Sequence, residues 1–201
     1  MIQNPPEVVL ASTSSARRAL LTAAGVPFTT LAPGVDEDAA KASMAAEGLT
    51  PRDMADALAE LKAVKISRRR AGLVIGADQT LDLDGQTLDK PADHSRAREQ
   101  LIALRGRRHN LHSAVVVALD GAPIWREVVS ATLVMRPFSD AFLEQYLAAE
   151  GDAVLGSVGC YRLEGLGAQL FERIDGDYFA ILGLPLTGLL DLLRRYGVLS
   201  L

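Results

Sequence analysis

Asp78, Gln79 and Thr80 stand directly after the apolar run Leu73-Val74-Ile75-Gly76-Ala77, and a tight Asp84-Gly85 turn leads back to Lys90-Pro91. This pattern predicts a buried strand with an acid at its end, a hairpin, and a lysine returned beside the acid. A carboxylate and an ammonium at the mouth of a sheet suit phosphate chemistry. The acid can hold Mg²⁺ or polarise a water, and the lysine can neutralise phosphate oxygens. The same residues also make an ordinary strand, turn and surface salt bridge.

A second group of chemically capable residues lies near the start of the chain. Val8–Ala11 reads as a strand, Ser12-Thr13-Ser14-Ser15 as a hydroxyl-rich turn in which one serine caps the next helix, and Arg17 and Arg18 fall in that helix's first turn. Cations there oppose the helix macrodipole unless an anion is bound. The segment is therefore either a phosphate cradle or a plain strand–turn–helix with solvated arginines. Asp36-Glu37-Asp38 reads as an acidic loop, usually solvated, in which Glu37 or Asp36 could ligate a hard metal.

The remaining pattern supplies the elements that must hold these residues. Residues 28–31 read as a strand, residues 41–47 as a short helix, and Thr50-Pro51 opens a helix running to about Arg70. Met54, Leu58, Leu61 and Val64 give that helix an apolar face, with Lys62 at its boundary, either solvated or leaning toward a site. A helix is expected over residues 95–104, and a long hairpin over residues 107–135 turns at Asp120-Gly121. His109 and His112 are three apart on a strand, so they face opposite sides and do not form a two-histidine metal site. Ser139 caps a further helix, and residues 156–167 are glycine-rich and irregular without matching a dinucleotide fingerprint. Strands are expected over residues 170–174 and 178–182, and Pro185 opens the last helix. Interleaved strands and helices with a long hairpin predict an α/β fold on a mixed sheet.

Composition narrows the classes. At 201 residues, 49% hydrophobic and 23% charged, the chain can bury a substantial core, and its net charge of −4 argues against a dedicated nucleic-acid binder. Cys160 is the sole cysteine, which excludes an internal disulfide and fits a reducing compartment. No apolar run approaches the length of a membrane span, and residues 1–12 lack the basic start and apolar stretch of a signal peptide. The expectation is a cytoplasmic protein.

Four blocks in order, LASTSSARRALLTAAGVPF, ADQTLDLDGQTLDKP, LRGRRHNLHSAVVVA and EGLGAQLFERIDGDYFAILGLPL, resemble the Maf family of nucleoside triphosphate pyrophosphatases over nearly the whole chain. The resemblance implies one domain over residues 1–201 and an elongated mixed β-sheet with flanking helices. It implies two lobes around a cleft, as in inosine triphosphate pyrophosphatases. It further implies a nucleoside triphosphate substrate, a divalent cation (Mg²⁺ or Mn²⁺) and a homodimer. By motif position it assigns Asp78 as proton acceptor and metal ligand, Lys62 and Lys90 as catalytic cations, and Glu37 as a second metal ligand. Ser12, Ser14, Arg17 or Arg18, and Gln79 fall at substrate-binding positions. The longer first loop, Asp78-Gln79, and Glu164 where a glutamine is usual look more like the branch acting on 7-methyl-GTP than the dTTP/UTP branch. A carboxylate at position 164 can accept from a guanine N1–H and exocyclic amine and suits a cationic base. Ser15 and Ala16 depart from the proline and aromatic usual in that loop. The expected reaction is hydrolysis between the α- and β-phosphates. A non-catalytic nucleotide-binding regulator of cell division would bind without turnover, and a phosphomonoesterase would release orthophosphate instead.

Overall fold

A computed structural model describes residues 5–200; residues 1–4, part of the segment read above for a signal peptide, lie outside the described residues. Strand β1 (Val8–Ala11), helix α1 (Ser15–Ala23) and strand β2 (Thr29–Thr30) come first. Helices α2 (Glu37–Ala46) and α3 (Pro51–Ser67) lead to strands β3 (Leu73–Leu83) and β4 (Gln86–Leu88). Helix α4 (His94–Leu104), the hairpin β5 (Arg108–Leu119) and β6 (Ala122–Met135), and helix α5 (Asp140–Glu150) follow. Three 3₁₀ turns, Gly151–Gly156, Val158–Cys160 and Leu166–Leu170, precede strand β7 (Phe171–Asp175), helix α6 (Tyr178–Ile181) and helix α7 (Leu186–Arg195). No helix among the described residues is long and apolar enough to cross a membrane.

The strands form one seven-stranded mixed sheet in the order β2-β1-β3-β5-β6-β7, with β4 also on β3. β1 pairs in parallel with both β2 and β3, and every other pairing is antiparallel. β3 is the axis of the molecule. One of its edges pairs with β5 from Val74 to Asp82. On the other edge β1 covers Leu73 to Gly76 and β4 covers Leu81 to Leu83, so on that edge residues 77–80 have no strand beside them. Asp78 therefore sits in the middle of a long strand, where the ladder is interrupted, and not at a strand end as the local pattern suggested.

Two principal apolar cores lie on either side of that interruption. One gathers Leu10, Leu21, Leu73, Ile75, Leu189 and Leu193. The other gathers Leu81, Leu101, Leu104, Leu111, Leu133 and Leu143. Burial of such side chains contributes roughly 2 kcal/mol each, so each half carries its own stabilising centre.

Helix α3 packs on the sheet with a different face from the one its large residues suggested. Leu58 is buried, but the stripe facing the sheet centre is Ala55, Ala59 and Ala63 against Ala114, Val116 and Ala118, whereas Leu61 is 39% exposed. Small residues let the helix backbone approach closely. Gly76 completes the fit: a Cβ there would stand 2.6 Å from the Ala63 nitrogen and 2.8 Å from its Cβ. Thr80 donates to the Pro51 carbonyl at 2.7 Å and fastens the start of α3 to β3.

Two local expectations fail. Residues 178–182 are not a strand: residues 178–181 form α6, because Asp177 accepts from the Ala180 amide at 2.7 Å and caps a helical turn. The acidic run 36–38 is not a loop: Asp36 caps α2, and Glu37 and Asp38 occupy its first turn, where the helix dipole favours acids.

Candidate active site

The interruption beside β3 opens into a cleft. A cavity of about 540 Å³ is lined from β1–α1 by Ser12, Ser14 and Arg17, from the second half by Asp89, Lys90 and Ser157, and at its floor by Lys62, Asp78 and Gln79. It shares Ser14, Gln79, Lys90 and Leu182 with a second cavity of about 550 Å³, into which Tyr161, Arg162, Leu163 and Glu164 also face. Each volume lies in the range of small-ligand sites, and together they form a two-chambered cleft with a charged chamber and a more apolar one.

Lys62 is the centre of the charged chamber. Far from being solvated, it is 4% exposed, and its Nζ lies 2.6 Å from Asp78 Oδ1 and 2.9 Å from Glu37 Oε1. The alanine stripe of α3 makes this possible by bringing the helix against β3. Lys90 is not the ion-pair partner expected for Asp78; it lines the same cavity, and among the described residues no carboxylate pairs with it. Burial lowers the Lys90 pKa, and the Arg17 and Lys62 charges lower it further against the opposing effect of Glu37 and Asp78. Burial would raise the Glu37 pKa, but the Lys62 hydrogen bond and the charges of Lys62, Lys41 and Lys90 outweigh it and bring it down.

The first loop is built as a cradle. Ser14 caps α1 by accepting from the Arg17 amide, and Ser12 Oγ accepts from the Ser14 amide at 3.2 Å. Arg17 Nε donates to the Gly183 carbonyl at 2.8 Å and Nη1 to Ser12 Oγ at 3.3 Å. Burial lowers the Arg17 pKa while Asp78 and Glu37 raise it; a guanidinium remains charged throughout. Arg18, one residue on, is exposed and lines neither cavity.

Gln79 points to the opposite face of β3 from Asp78. Its Nε2 donates to Ser113 Oγ at 2.8 Å and to the carbonyls of Ala180 and Ile181 at 3.1 and 3.0 Å. Glu164 is exposed at the rim of the second cavity. Every residue singled out by motif position except Arg18 thus borders one cleft.

The local sequence pattern missed Gly183, Ser113 and Lys41. Lys41 lies one helical turn after Glu37, a pairing visible once α2 is known to begin at Glu37. It forms an ion pair with Asp89, and Lys65 donates to the Gly34 carbonyl, so the approach to α2 and its middle are tied down. Gly183 and Ser113 act through backbone and cross-strand contacts that leave no sequence signature.

A mixed α/β sheet whose interrupted ladder presents a carboxylate, buried and half-open cations and a hydroxyl loop fits a phosphate-handling hydrolase. The family described as Maf-like protein matches residues 7–196, and the chain belongs to that family. It is an enzyme, a hydrolase acting on acid anhydrides. It is 63% identical over 193 residues to a nucleoside triphosphate pyrophosphatase of Caulobacter vibrioides, covering 96% of this chain and 97% of that protein. A nucleoside triphosphate pyrophosphatase of Hyphomonas neptunium is 54% identical over 192 residues, covering 96% and 97% of the two chains. A 7-methyl-GTP pyrophosphatase of Rhizobium meliloti is 47% identical over 196 residues, covering 97% and 98%.

Proposed function

We propose that the chain hydrolyses nucleoside triphosphates between the α- and β-phosphates, and that it acts on modified nucleotides such as 7-methyl-GTP. The observation that carries the first part is the arrangement of charge. Arg17 and Lys90 face one cavity without carboxylate partners among the described residues, around the Asp78–Lys62 pair. Cations left uncompensated in a cleft fit a polyanionic ligand. The names of the relatives in Caulobacter and Rhizobium support the same reading.

In this reading Arg17, Lys90 and the hydroxyls of Ser12 and Ser14 bind the phosphate chain. Asp78 orients a water and takes its proton as the oxygen bonds to phosphorus and the bridging P–O bond between α and β breaks. The products are a nucleoside monophosphate and pyrophosphate. Lys62 holds the Asp78 carboxylate in place through the contact at 2.6 Å. Among the described residues no three acidic, histidine or cysteine side chains converge, but Glu37 and Asp78 stand together, each giving one carboxylate oxygen to the Lys62 ammonium and keeping a second. Those second oxygens, completed by substrate phosphates, fit the donor set of Mg²⁺ or Mn²⁺, so Glu37 and Asp78 would hold such an ion beside Lys62. When bound, it supplies charge neutralisation and a more acidic water.

The second chamber would take the base, with Tyr161 and Leu111 beside it and Glu164 at its rim. A rim carboxylate suits the donors and positive charge of 7-methylguanine.

The test is pyrophosphate release by the purified protein with Mg²⁺ across normal and methylated nucleoside triphosphates, beside Asp78→Asn. Near-complete loss of release in a folded Asp78→Asn protein is expected, and near-wild-type turnover would sink the assignment. Preference for 7-methyl-GTP supports the substrate reading, and preference for dTTP or UTP overturns it. Binding without release would point to a regulator, and orthophosphate release to a phosphomonoesterase.

A further inference from the structure

We infer that Gln79 is a positioning residue: it fixes the segment after α6 that in turn aims the Arg17 guanidinium into the phosphate chamber. The inference rests on the reading of Arg17 as a phosphate ligand.

The argument begins with donors and acceptors. A glutamine amide has two hydrogens, and the Nε2 of Gln79 has three protein acceptors at 3.1 Å or less: Ser113 Oγ and the carbonyls of Ala180 and Ile181. Its donors are thus committed to protein groups. The reverse orientation would set the amide oxygen against two carbonyl oxygens, so the network admits one arrangement. Ser113, the cross-strand neighbour of Gln79 on β5, donates to the same Ala180 carbonyl at 2.6 Å. The last carbonyls of a helix have no partners within it, and here β3 and β5 supply them. The C-terminal end of α6 is therefore fastened to the rigid centre of the sheet.

The next residues carry that rigidity to the site. Gly183 follows α6 with φ of 98°, a conformation suited to glycine, and donates its amide to the Ala180 carbonyl at 2.8 Å. Its own carbonyl accepts from Arg17 Nε at 2.8 Å. A Cβ on Gly183 would lie 3.7 Å from Arg17 Nε and 3.8 Å from Gln79 Oε1, so the three residues meet at one point. Among the described residues the Arg17 guanidinium is otherwise held only by Ser12 Oγ at 3.3 Å. Without the Gly183 carbonyl in place, the guanidinium has one weak tether and several rotamers. Gln79 is thus the strut between the strand carrying Asp78 and the cation facing it, and it sets their relative position.

A purely structural anchor and a strut for Arg17 make different predictions, and a double-mutant cycle separates them. Gln79→Met keeps length and volume but removes the donors. Turnover of the wild type, Gln79→Met, Arg17→Ala and the double variant is measured with Mg²⁺ and the best substrate of the nucleotide panel. Gln79→Met should lower kcat/KM by about 30-fold and Arg17→Ala by about 300-fold, since misplacing or deleting a phosphate ligand has effects of this order. The double variant should be within about threefold of Arg17→Ala, because the strut has nothing left to aim. Multiplied losses, roughly 10⁴-fold, overturn the inference. Wild-type turnover in Arg17→Ala removes the phosphate role of Arg17 and the inference with it, while leaving hydrolysis itself in evidence.

A measurement independent of turnover follows the Arg17 Nε–H signal by NMR. The signal should be protected from solvent exchange in the wild type and lose that protection in Gln79→Met; unchanged protection overturns the inference. If Gln79→Met fails to fold, Ser113→Ala removes one fastening of the same carbonyl. It should produce a weaker form of the same loss, and unchanged protection there overturns the inference as well.

Discussion

Gly76 of β3 lies flush against Ala63 of α3, and a side chain as small as a methyl group at position 76 would stand 2.6 Å from the Ala63 backbone nitrogen. Ala63 is next to Lys62, and Gly76 is two residues before Asp78. The contact therefore sets the gap across which the Lys62–Asp78 ion pair forms at 2.6 Å. Gly76→Ala must push α3 outward. The expected result is a loss of about 3 kcal/mol in urea denaturation, the upper part of the range for overpacking, with pyrophosphate release falling by at least about tenfold as the pair is stretched.

Lys62→Met leaves the Asp78 carboxylate buried without its ammonium. Stability should drop by about 3 kcal/mol, as for other buried pairs broken from one side. Adding Asp78→Asn to that variant should recover most of the loss, because no uncompensated charge remains. Denaturation of both single variants and the double variant checks this, and simple additivity would contradict it.

The two neighbouring arginines give a sharp contrast. Arg17 borders the phosphate chamber, while Arg18 is exposed on the outer face of α1. Arg17→Ala is expected to reduce kcat/KM by about two orders of magnitude or more, and Arg18→Ala to change it by less than about threefold. Steady-state kinetics on the preferred nucleotide distinguishes them.

His109 should make the protein acid-sensitive. The ring is 1% exposed, its Nε2 contacts the Tyr161 hydroxyl at 2.8 Å, and its Nδ1 is buried without a hydrogen-bond partner among the described residues. Burial pushes its pKa down to about 4 from 6.5. Above pH 6.5 the ring is neutral in both the folded and unfolded chain. Between about 6.5 and 4 the unfolded chain takes up a proton that the native state excludes, so stability falls as the pH drops through that window, by up to about 3 kcal/mol. Denaturation curves across this range should show a shallower pH slope for His109→Gln than for the wild type.

Much of this organisation can be read from the chain, and the gaps have physical causes. The acid of β3, the serine cap of α1 and the long β5–β6 hairpin announce themselves through apolar runs and turn residues. Lys62 does not. Its environment depends on Ala55, Ala59 and Ala63 facing the sheet, and alanines give a weak apolar signal beside Met54, Leu58, Leu61 and Val64. The short helix α6 is hidden for another reason: residues 178–181 have β-like composition, and one capping contact from Asp177 decides their conformation. The pairing of Asp78 with Lys62 across sixteen positions, in place of Lys90, is a tertiary fact with no local trace.

The interruption of the ladder at residues 77–80 has a mechanical consequence. The two apolar cores on either side of it are joined through β3 and β5, which run unbroken from one to the other. Asp78, Gln79 and Ser113 sit on that continuous pair of strands, so the spacing of the two cores and the placement of the groups facing the cleft are set by the same backbone.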